Sequence, residues 1–117
     1  MEIDTLIREL SRYVAELDIR SRTDREATIH YLRRDTERAC RAKYPEWCYG
    51  SIWVTLKGVE AGDTVVPLPK KESVMENLKR VGCRIEYVHE YPDYNVAHIH
   101  VNCAGADILK VARALAL

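Results

Sequence analysis

The chain has no phenylalanine, and its 117 residues include only 5 glycines, 4 prolines and 4 cysteines, with no excess of either charge. The balance of 18 Lys+Arg against 18 Asp+Glu excludes binding driven mainly by neutralising many phosphates or an anionic membrane. No stretch approaches the roughly 18 consecutive apolar residues of a membrane helix. The N-terminal Met-Glu-Ile-Asp carries acid where a secretory leader carries base, so a cytoplasmic setting without membrane association is expected. Cys40, Cys48, Cys83 and Cys103 are separated by 8, 35 and 20 residues, which is neither a CxxC pair nor a zinc-finger spacing. Free, buried thiols are therefore expected. A glycine-rich nucleotide loop, HExxH and GxSxG are all missing, so no catalytic residue, metal ligand or cofactor is assigned.

What is present fits one domain, residues 1–117, with 47% hydrophobic residues to build a core. Ile3, Leu6, Ile7, Leu10, Tyr13, Val14 and Leu17 recur at helical spacing and predict an amphipathic helix. Its stripe serves either packing within the chain or a homodimer through this first helix. Thr23 with Glu26, or Ser21 with Asp24, resembles a helix N-cap, predicting a second helix over about 23–42 that Pro45 stops. On that helix His30, Arg34, Arg38 and Arg41 share one side, a candidate anion-binding stripe. Ten acids interleave with ten bases before Trp47, however, which favours a solvated, salt-bridged face.

The second half changes character. Ile52, Val54 and Leu56 alternate with Ser51, Trp53 and Thr55, predicting a strand over Tyr49–Leu56. Gly58 and Gly62-Asp63 read as turns, with Val65-Val66 a short extension of the sheet. Pro67 and Pro69 introduce a helix near residue 70 that buries Val74, Met75, Leu78 and Val81 and ends at Gly82. Strands follow over Cys83–Glu90 and Val96–Asn102, then a helix over about 105–116. The predicted fold is α+β: an N-terminal helical hairpin over 1–46, then a βαββα unit over 47–117 with a small, mainly antiparallel three-stranded sheet.

The hairpin register decides which surface is on offer. His98 and His100 flank Ile99 and share a face. A two- or four-residue loop would bring His89 to the same face, giving three imidazoles like those of a catalytic zinc centre. That register sets Glu86 against Ile99 and Arg84 against Val101, burying unpaired charge. A five-residue loop, Tyr91 to Asn95, keeps the apolar residues together and breaks the histidine trio. The outer face then shows Arg84, Glu86, Val88, His98 and His100, with Glu86 near His100 and Trp53 alongside. Packing of the two N-terminal helices over that face is the competing expectation.

Seven of the nine aromatics lie in Tyr44–Trp53 and Tyr87–Tyr94, and every one carries a polar group. Trp with Arg and His suits a protein-binding patch. The sequence thus predicts a small non-enzymatic interaction protein, a regulator or inhibitor, that binds a protein partner. The binding residues are Trp53, Arg84, Glu86, His98 and His100 of the sheet face, or Arg34, Arg38 and Arg41 of the helical hairpin. A phage or mobile-element accessory protein is one such setting. The alternatives are an RNA or single-stranded nucleic-acid binding module, and a small zinc enzyme built on His89, His98 and His100.

Overall fold

The structure, a computed structural model, describes residues 3–40 and 46–117. The chain runs through α1 (Ile3–Ser11), β1 (Val14–Arg22), β2 (Glu26–Arg33), α2 (Arg34–Ala39), β3 (Gly50–Thr55) and β4 (Gly58–Pro67). It continues through α3 (Lys71–Arg80), β5 (Arg84–Tyr91), β6 (Val96–Ala104) and α4 (Ile108–Ala116). The strands form a single six-stranded sheet in the order β1-β2-β3-β4-β6-β5, every neighbouring pair antiparallel. The mixture of helix and strand agrees with the α+β expectation. The three-stranded sheet and the N-terminal helical hairpin do not: residues 14–33 are a β-hairpin in the same sheet as the rest.

Two local features explain that misreading. Val14 and Leu17 lie three apart, which reads as helix, but a bulge between Val14 and Glu16 returns both to the helix-covered face of a strand. The second is Thr23, whose Oγ1 accepts from the N–H groups of Arg25 (3.2 Å) and Glu26 (3.1 Å). Those are the bonds an N-cap makes, used here to close the β1–β2 turn. Beyond the turn, Ala27, Ile29 and Tyr31 are fully buried while Thr28 and His30 lie on the other face, a strand period.

Helices α1, α3 and α4 pack on one face of the sheet over Ala27, Ile29, Tyr31, Ile52, Val54, Val66, Ile99 and Val101. The amphipathic stripe of α1, with Leu6 and Leu10 wholly buried, packs in this core and contacts α4. Arg33 is also buried, at 1% exposure. It donates through Nε and Nη2 to the Asp35 carboxylate, both at 2.9 Å, and through Nη1 to the Leu115 carbonyl at 2.9 Å. Partial burial works against the charged Asp35 carboxylate, but Arg33 and then Lys70 hold its pKa below the usual aspartate value. Thr64 Oγ1 also donates to the Leu115 carbonyl, so the last turn of α4 is tied to the sheet twice.

Among the described residues, the opposite face is covered at one end only. There Leu32, Val65 and Val96 cluster with Cys40 and Cys48, against Ala39 and Tyr91. Gly62 lies inside β4 rather than in a turn, where a Cβ would come within 2.4 Å of the Ser51 carbonyl oxygen. Only glycine allows β3 and β4 to approach so closely at the bulge between them.

The expectation of free thiols is corrected: Cys40 is bonded to Cys48, and Cys83 to Cys103. Spacing along the chain carries no record of the second proximity, which arises because Arg84 pairs with Asn102 and brings the preceding and following residues together. Among the described residues, no helix is long and apolar enough to cross a membrane.

The β5–β6 register is also corrected. Tyr91 pairs with Val96, leaving residues 92–95 as the connection, and His89 pairs with His98. Beyond a bulge between Ile85 and Tyr87 the register shifts by one, so Ile85 pairs with Val101. One bulge thus keeps the apolar pairs on the core face and still brings His89 to the face of His98 and His100.

Candidate functional site

Directly paired residues on neighbouring strands share a face. Following the pairs across the sheet gives one row: Asp18 with His30, His30 with Ser51, Ser51 with Asp63, Asp63 with His100, and His100 with Tyr87. Every strand contributes one polar side chain to this row, on the face that α1, α3 and α4 leave open. Trp53 flanks the row, paired with Thr28 and Ala61. It is 43% exposed and Tyr87 is 55% exposed, so no described helix covers the middle or the β5 edge of this face.

The densest chemistry lies where β4 meets β6. Ligand atoms of Asp63, His98 and His100, all half-buried, lie within 4.8 Å of one another. The Ser51 N–H donates to Asp63 Oδ1 at 2.9 Å, leaving Oδ2 3.5 Å from His98 Nδ1. On the far side of that imidazole, Nε2 is 2.9 Å from the Trp47 carbonyl oxygen. A carbonyl only accepts, so Nε2 carries the hydrogen, and Nδ1 is the nitrogen whose lone pair is free to bind whenever the ring is neutral. His100 lies flat against Tyr87, ring centroids 4.2 Å apart and planes within 4°. These are the residues with the chemistry to hold a metal ion.

An aromatic rim borders this centre. Trp47 and Tyr94 are in contact at 4.3 Å between centroids, and Tyr91 lies 4.9 Å from His98. Together the four residues line a hollow of about 180 Å³. The left-handed Asn95, at φ 57°, ends the single helical turn Pro92–Tyr94 that carries Tyr94 into place.

The residues singled out from the sequence fall in several places. Trp53, His98 and His100 lie on the open face. Arg84 and Glu86 are on the edge strand β5, paired with each other at 2.8 Å; Tyr87, not Glu86, stands beside His100. His89, though on the open face, is turned against Tyr91, 4.5 Å between centroids, and is not among the clustered donors. The candidate basic stripe is divided, His30 being separated from the arginines. His30 belongs to β2, whereas Arg34 and Arg38 belong to the short α2, where Arg34 donates to the Arg12 carbonyl at 3.0 Å. Arg41 lies outside the described residues.

Asp63, Ser51, Tyr87 and Trp47 were not singled out from the sequence. Gly62-Asp63 imitates a turn, and the signal that would have found Asp63 is the β-branched run Thr64-Val65-Val66 that continues its strand. No family model, curated protein or solved structure matches the chain.

Proposed function

We propose that this protein is a small non-enzymatic binding module, a regulator or inhibitor in role, that engages a protein partner through the open face of its sheet. The observation that carries this reading is the exposure of Trp53 beside, and of Tyr87 at the end of, a polar row whose central residues His30, Ser51, Asp63 and His100 are half-buried, on a face that none of the three core helices covers. Exposed aromatics beside oriented polar groups are the composition of binding hot spots. The charge on the face favours protein over nucleic acid. Asp18 and Asp63 lie in the row itself, and Arg84 is matched by Glu86. A phosphate-tracking groove needs uncompensated base. The α1 stripe is satisfied within the chain, so this reading needs no homodimer.

The test is affinity capture from the native host with wild-type protein and with the Trp53→Ala/Tyr87→Ala double variant, nuclease-treated in parallel. A protein retained by the wild type and lost by the folded double variant supports the reading. Retention of nucleic acid alone, or equal capture by both proteins, overturns it.

The cytoplasmic setting expected from the sequence enters as a proposal in tension with the two disulfides, which persist in oxidising compartments. Alkylation of the thiols in freshly broken cells separates the two settings. Four modified cysteines fit the cytoplasm, and none fits an oxidising compartment.

A further inference from the structure

We infer that Asp63, His98 and His100 form a binding site for a divalent first-row transition-metal ion, zinc being the reference ion. The donor set is a carboxylate and two imidazoles, the mixture such ions take. Calcium and magnesium prefer oxygen ligands, and two neutral imidazoles suit them poorly. Thiolate competition is absent because, among the described residues, no cysteine is free.

The surroundings are arranged as metal ligands need. Metal-bound histidine donates its second ring N–H to a fixed acceptor, which sets the tautomer and the ring plane. The Trp47 carbonyl does this for His98, leaving Nδ1 as the ligand atom. The Ser51 N–H holds Asp63 Oδ1 and leaves Oδ2 for the ion, while Tyr87 fixes the plane of His100. Oδ2 and Nδ1 are 3.5 Å apart; two ligands each about 2.1 Å from a tetrahedral ion would stand about 3.4 Å apart. All three residues come from the paired strands β4 and β6, so their ligand atoms can close on an ion by side-chain adjustment with no change in strand pairing. An ion held from one side keeps positions open toward the exposed face, for water or for a donor from another molecule. Metal binding is a property of the isolated chain and stands or falls apart from the partner reading.

The competing account is a plain Asp63–His98 ion pair with no affinity for metal. The two are separated with the full chain, purified without a polyhistidine tag or reductant and stripped with a chelator. Zinc chloride is then titrated by calorimetry, and cobalt chloride by visible absorption. The expected result is one equivalent of ion per chain, with ligand-field bands for cobalt. Asp63→Asn and His100→Phe should each weaken binding by more than about tenfold, since even outer-shell changes at metal sites cost that much. His89→Ala should bind as the wild type does. Asparagine still accepts from Ser51 and phenylalanine still stacks on Tyr87, and circular dichroism checks that each variant is folded. If a variant fails to fold, the zinc-induced rise in Tm of the wild type, reversed by chelator, is the second readout. No saturable binding of either ion to the wild type overturns the proposal. So does a loss in His89→Ala equal to that in the other two variants.

Discussion

The two faces of the sheet are made by the same strands and differ in almost everything else. On the helix-covered face Ile29, Ile52, Ile99 and Val101 are buried to within 1% exposure. On the other, the neighbouring positions His30, Ser51, Trp53, His98 and His100 keep access to solvent. Adjacent residues in a strand point to opposite sides, so one residue of displacement separates close-packed hydrocarbon from a polar surface. Stability is concentrated on the first face. The proposed binding chemistry lies on the second, where removing an exposed side chain such as that of Trp53 leaves no cavity.

The comparison is broken most severely where a buried charge depends on one partner. Asp35→Asn leaves Arg33 charged in the interior beside the end of α4, and should cost about 3–5 kcal/mol in chemical denaturation. The effect has a definite pH dependence. The folded-state pKa of Asp35 is depressed, so its contribution is fully present above the unfolded value of about 3.9 and is lost as pH falls through the lower folded value. The gap between variant and wild type should therefore narrow on acidification below about pH 4. A gap that widens would show that the pair is not the source.

A single methylene sharpens the comparison. Ile99→Val on the covered face should cost about 0.5–1.5 kcal/mol, because the surrounding core closes only partly over the gap. Removing the whole indole from the open face, by Trp53→Ala, should shift stability by no more than about 0.5 kcal/mol. Paired denaturation curves test the ranking directly. If Trp53→Ala is the more costly change, the open face is packed against something in solution.

Much of the C-terminal half could be read from the chain because its signals agree with one another. The stripe Val74, Leu78 and Val81 lies between Pro69 and Gly82, and the alternation of His98, Ile99, His100 and Val101 allows only a strand. The N-terminal half could not be read in this way. A bulge imitates helical spacing at Val14 and Leu17, and a turn hydroxyl imitates a helix cap at Thr23. The candidate site divides similarly. Local parity is enough to put His98 and His100 side by side, but Asp63 follows a glycine that reads as a turn and enters only through the pairing of β4 with β6.

The sequence by itself determined the local alternation: which residues of a strand share a face, and how apolar each face is. It left open which strands are neighbours and where a bulge reverses the alternation. Only the tertiary structure decided that Asp63 stands beside His100, that Tyr87 replaces Glu86 as its other neighbour, and that four cysteines meet in pairs. Side-chain direction follows from covalent geometry within a few residues. Strand order and register depend on burying all the apolar faces at once, a condition on the whole chain that no short window contains.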